Sequence, residues 1–210
     1  MNWVDIVLIA LLLTAVIVGS KKGLVREIMA FLMFFCAIIL SVVYIDSFAV
    51  WIYEKVGGSP LVAAFVAFTV LIALSYATFK LAAIVFYKVA NIKGMGKQDQ
   101  IGGALVGFLR GWLLVGFAVF LLFLLPLPAS FYTSFEQSFF GPTIAKTIPL
   151  VFNGTSPVHP ASNDFVGKIE NTLLQAQSVN QDTSNEDRMA VYEALHNIRR
   201  FFTLGDGSKS

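Results

Sequence analysis

Asp99-Gln100-Ile101-Gly102-Gly103-Ala104-Leu105-Val106-Gly107-Phe108-Leu109-Arg110-Gly111 opens a run in which Arg110 is the only charge between Ile101 and Leu125. A helix over that run reaches about 37 Å, enough to cross a bilayer with some tilt. A guanidinium inside such a segment costs about 3 kcal/mol on insertion scales unless it snorkels or finds a partner. Gly103, Gly107 and Gly111, spaced by four, make a side-chain-free stripe of glycine-zipper type along which another helix can approach closely. The stretch predicts a membrane-spanning helix with a packed polar feature in its bilayer half.

Three further apolar runs precede it: Trp3 to Gly19, Ile28 to Ile45, and Leu61 to Phe79, the last continuing past Lys80 to about Tyr87. An apolar fraction of 57 % with 13 % charged residues over 210 residues excludes an ordinary soluble domain. The predicted fold is all-α: a polytopic membrane protein with four transmembrane helices and an amphipathic helical extracytoplasmic tail. Residues 1–125 form the membrane domain, 126–161 an interfacial helix with a proline-rich linker, and 162–210 the amphipathic tail. The leader of the first run has no Lys or Arg and carries Asp5, the reverse of a cleavable signal peptide. That run is therefore expected to remain as a helix, with Asn2 or Asp5 capping its start.

The connection after the first span carries Lys21, Lys22 and Arg26, and the one after the third carries Lys88, Lys93 and Lys97. Between the second and third spans only Lys55 stands against Asp46, read as a loop acid, and Glu54. The positive-inside rule then places both basic connections in the cytoplasm and both chain termini outside. Cys36, the single cysteine, lies within the second span, so no intramolecular disulfide holds the tail.

In the tail, Phe131, Phe135, Phe139 and Phe140 suggest a short helix lying in the outer interface. Pro142, Pro149, Pro157 and Pro160 predict a linker without regular structure over 141–161. Two amphipathic helices follow. One starts near Ser162 or Asn163 and aligns Phe165, Ile169, Leu173 and Ala176. The other is capped at Ser184, aligns Met189, Tyr192, Leu195, Ile198 and Phe202, and ends before Gly205. Two such helices cannot bury a core alone, so they dock on the membrane domain, on a copy of themselves or on another protein.

Three sites place this chain beside a known group: Trp3-x-Asp5 at the start of the first span, Gly23-Leu24-Val25-Arg26-Glu27 at the start of the second, and Asp99-x3-Gly103-x3-Gly107-x2-Arg110-Gly111 at the start of the fourth. In order and spacing they resemble the bacterial colicin V production protein family, over roughly residues 1–125. The family pattern commonly carries Arg after the aspartate, where this chain has Gln100. The resemblance implies a multi-pass protein of the bacterial inner membrane, associated with colicin export and envelope maintenance. It implies no biochemical activity for the membrane domain.

On a helix, Asp99, Gly103, Gly107 and Arg110 fall within about 80° of one another and share one face. Glu27 is the expected partner of Arg110, while Asp99, three turns below, lies too far for direct contact. Lys80 either competes for that acid or snorkels to the surface. The cluster is read first as structural, with glycines permitting close approach and an ion pair setting helix register; the competing reading is a polar vestibule. Gly19-x3-Gly23 reads as a tight turn, and Asp5 as a helix cap.

His159 and His196 are the only histidines and no HxxxH spacing exists, so neither a metal site, a cofactor site nor catalytic residues are expected. No basic groove interleaved with aromatics suggests nucleic acid. The expected partners are the lipid bilayer, a homo-oligomer, and an envelope or export protein engaged through the tail. Two functions remain: a non-enzymatic membrane scaffold or accessory factor, or a small channel or transporter built around Arg110.

Overall fold

A computed structural model describes residues 2–90, 96–158, 164–179 and 184–204. The elements among these residues are all helical: α1 (Trp3–Lys22), α2 (Leu24–Val56), α3 (Pro60–Ala90), α4 (Gly96–Phe123), α5 (Ala129–Glu136), α6 (Gly141–Ala145), α7 (Thr147–Gly154), α8 (Phe165–Val179) and α9 (Asn185–Phe202), with one 3-10 turn at Ser156–Val158. The first four are long and apolar enough to cross a membrane, which is the all-α polytopic fold read from the sequence.

A single residue, Gly23, joins α1 to α2. Its φ of 84° lies in the region that favours glycine, and its N–H closes on the Gly19 carbonyl at 3.1 Å. Despite that short turn, α1 and α2 diverge. The long contact of α1 is with α4, while α2 lies between α4 and α3. The four helices therefore stand in a row, in the order α1, α4, α2, α3.

The tail folds back onto this row. Helices α6 and α7 lie along α4, α8 lies along α2 and α3, and α9 closes over α3, α4 and α8. The C-terminal half of α4 enters an aromatic cluster: Phe120 meets Phe165 at 5.0 Å and Phe202 at 5.7 Å, and Phe123 meets Phe135 at 5.2 Å and Phe201 at 5.2 Å. Of the three docking options, the structure takes the first: the tail shares one hydrophobic core with the membrane helices.

Four local expectations are corrected. Asp46 is not in a loop: α2 continues to Val56, because Ala49, Ile52 and Tyr53 extend the buried stripe past Ile45. The carboxylate of Asp46 accepts from the Lys168 ammonium and the Thr172 hydroxyl of α8, which makes it tolerable there. The expected linker is helical over α6 and α7. Pro142 and Pro149 fall in first turns, where the missing N–H would have had no intrahelical acceptor.

The phenylalanine stripe is also split. Helix α5 ends at Glu136, with Phe135 buried in the aromatic cluster and Phe139 80 % exposed. Finally, α9 is rotated from its expected face. Phe201 and Phe202 both turn inward with Val191, Ala194, Leu195 and Ile198, leaving Met189 and Tyr192 exposed. The cap is as expected, with Ser184 Oγ accepting the Asp187 N–H at 3.1 Å. In α8, Phe165, Ile169, Leu173 and Ala176 are all buried, and the helix begins at Phe165, whose N–H donates to Asn153 Oδ1 at 2.9 Å. His159, Ser162, Asn163, Gly205 and Lys93 lie outside the described residues.

Candidate functional site

The sequence concentrates its unusual chemistry where α1, α2 and α4 meet at the lysine-rich end. Glu27 sits on the first turn of α2 with a fully buried side chain. Arg110, from α4, reaches back toward the helix start and places Nε 3.0 Å from Glu27 Oε2. Lys22, the last residue of α1, approaches Oε1 at 3.6 Å from a half-exposed position. Three helices are therefore tied through one carboxylate. Neither Glu27 oxygen nor Arg110 Nε makes a well-directed hydrogen bond, so the attraction is ionic rather than bonded along an N–H axis.

A buried ion pair is weak evidence for net stability, because desolvating both charges offsets most of their attraction. Removing one partner is a different matter, leaving a charge with nothing to compensate it. In this arrangement α4 presents Arg110 to the first turn of α2.

Asp99 does not touch Arg110, as expected, but it is not idle. Gly23 precedes α2 and has no side chain to accept from the first N–H groups of that helix. Asp99 supplies the missing acceptor from α4, with Oδ1 taking the Leu24 N–H at 2.8 Å. The carboxylate occupies the space that a Cβ at position 23 would need.

The glycine stripe of α4 is covered by α1. A Cβ on Gly103 would lie 2.5 Å from the Gly19 carbonyl oxygen, and one on Gly107 would lie 2.8 Å from that of Ala15. At Gly111 the added atom would strike the Ala15 side chain. Gly19 is therefore half of a helix seam and not only part of a turn. The regular spacing Ala15, Gly19, Gly23 was the sequence signal for it.

Asp5 does more than cap its own helix. Besides accepting the Asn2 N–H at 3.3 Å, it accepts the Ser138 hydroxyl at 2.7 Å and the Phe140 N–H at 3.2 Å. It thereby fastens the start of α1 to the tail between α5 and α6. Ser138, like Lys168 and Thr172, carries no sequence signal, since each acts on a residue more than 120 positions away. Arg26 and Lys80 are exposed and stay apart from the Glu27 carboxylate. The Lys80 competition is not realised. Among the described residues, no three His, Cys, Asp or Glu side chains gather as a metal site would require.

Comparison with curated proteins gave no match. Comparison with solved structures gave none either. The family model described as "Colicin V production protein" matches residues 4–149, past Leu125 and through α5 and α6 into α7, further than the sequence motifs alone reached. Asp5, the Glu27–Arg110 pair, the α1–α4 seam and the segment that Asp5 holds all lie inside this match, and the chain belongs to the colicin V production protein family.

Proposed function

We propose that the protein is a non-enzymatic integral membrane scaffold or accessory factor for export or envelope maintenance, seated in the bacterial inner membrane with both termini periplasmic. The observation that carries this reading is the fastening of the tail. Asp46 holds Lys168 and Thr172, and Phe120 holds Phe165 and Phe202, so α9 presents exposed Met189 and Tyr192 from a fixed base. An envelope or export protein engages that face. A homo-oligomer would use another surface, since α1 covers the Gly103–Gly111 stripe. The orientation rests on Lys21, Lys22, Arg26 and Lys97 at one end of the helix row.

Photo-crosslinkers at Tyr192 and Met189 in living cells test the partner face. A discrete adduct from either position is expected, and no adduct from both overturns it. Phe165 is unsuitable for the same purpose because it is fully buried. A cysteine at Glu186 in a Cys36→Ser background tests the orientation. Labelling by an impermeant reagent at the periplasmic face is expected, and labelling only after permeabilisation inverts the topology.

One observation favours a second reading, a small channel or transporter: the charges of Glu27 and Arg110 are buried among the membrane helices, where ionisable groups commonly serve transport. Solute flux into proteoliposomes containing only this protein, abolished by Arg110→Ala, selects it over the scaffold.

A further inference from the structure

A cavity of about 260 Å³ lies between α3 and α4, on the side of α2, lined by Phe34, Ile72, Ala73, Tyr76, Arg110 and Leu114. Its floor is firm: Phe34 meets Tyr76 and Phe117 edge-on, each at 6.4 Å. It opens at the surface of the spanning helices, where Ala73 and Leu114 are exposed. The volume is below the roughly 300–1,000 Å³ of pockets that enclose drug-sized ligands. It suits a length of hydrocarbon chain. Arg110 stands in the wall with its charge balanced by Glu27.

One turn nearer the lysine-rich end, Lys80 stands on the same stripe of α3 as Ile72, Ala73 and Tyr76, within about 100° of arc. It is exposed and forms no ion pair among the described residues. It lies ten residues before Ala90, the last residue of α3, or about 15 Å. A lysine at that depth extends its ammonium toward the interface along the surface of the groove.

The local charge is unbalanced. Both acids at this end are engaged internally, Glu27 in the buried pair and Asp99 on the Leu24 N–H. Lys21, Lys22 and Lys97 remain exposed at the same end. Positive charge beside a chain-sized apolar groove matches one class of molecule abundant in a bilayer.

We propose that the groove between α3 and α4 binds one acyl chain of an anionic phospholipid whose phosphate is held by Lys80. The test uses native mass spectrometry of the full chain, released from micelles doped with equal phosphatidylglycerol and phosphatidylethanolamine. A basic residue near a membrane surface attracts an anionic lipid by about 1 kcal/mol, so Lys80→Ala should weaken phosphatidylglycerol retention about fivefold and remove its preference. Ala73→Trp, at an exposed position, should fill the groove and lower retention of both lipids. Equal retention of the two lipids by the wild type overturns the proposal, as does unchanged phosphatidylglycerol retention in both variants. A change in oligomer mass in Ala73→Trp, without change in lipid retention, also overturns it and assigns the groove to a second copy of the chain.

Discussion

Asp99 Oδ1 accepts the Leu24 N–H at 2.8 Å, so the second membrane helix is capped by a residue 75 positions further along the chain. Gly23 makes this necessary, because the turn needs its positive φ and glycine has no side chain to serve as cap.

Asp99→Ala should therefore lower stability by about 1–2 kcal/mol, while Asp99→Asn, which keeps an acceptor oxygen, should lose only a fraction of that. Thermal unfolding of the purified variants in detergent measures the difference. A melting temperature of Asp99→Ala equal to that of the wild type would show that the cap contributes nothing.

The α1–α4 seam separates glycines that look alike in the sequence. Gly103→Ala and Gly107→Leu press a side chain against the backbone of Gly19 or Ala15, which cannot move without parting the helices. Both should accumulate poorly in membranes. The atoms nearest a Cβ on Gly102 belong to the Leu24 side chain rather than to backbone, so Gly102→Ala should accumulate better than Gly103→Ala. Immunoblots of membrane fractions distinguish these outcomes, and a Gly102 variant as depleted as Gly103→Ala would count against the seam.

Breaking the buried pair should be costlier than replacing it. Arg110→Leu leaves Glu27 buried beside only the half-exposed Lys22, and a loss of about 3–5 kcal/mol is expected. Arg110→Leu combined with Glu27→Leu should recover much of that loss, since no charge is then buried. A double-mutant cycle on thermal stability measures the coupling, and simple additivity would rule out the pair as a unit.

Tyr132, on α5 outside the membrane-spanning helices, has its phenol pushed up by burial, against the smaller opposing effect of hydrogen bonds to the Leu127 backbone and the Asn197 side chain. The folded tail thus holds that proton more tightly than the unfolded chain does. The contribution of this phenol to tail stability should be fully present below the ordinary tyrosine value near pH 10 and be lost as pH rises above it. Tyr132→Phe should flatten that decline. Near-ultraviolet circular dichroism across pH 9–12 follows the packing of the aromatic cluster, and identical pH curves for wild type and variant would refute the assignment.

The sequence alone determined the four spans, the basic end and the pairing of Glu27 with Arg110, but not that Asp5, Arg26 and Lys80 stand apart from that pair. Insertion depends on transfer free energies summed over contiguous residues, and a lone arginine or a four-residue glycine spacing is visible in a short window. Glu27 was legible as the partner of Arg110 because few acids lie near that end of the membrane segments. Only the tertiary structure decided which helix fills the glycine stripe, that Asp99 caps α2, that Asp46 belongs to a helix and holds α8, and which face of α9 turns inward. Each of these depends on contact between residues far apart in the chain, where packing outweighs local preference: Asp46 is stable in a helix only once Lys168 and Thr172 arrive, and α9 takes its rotation from Phe201 and Phe202 entering the cluster around Phe123.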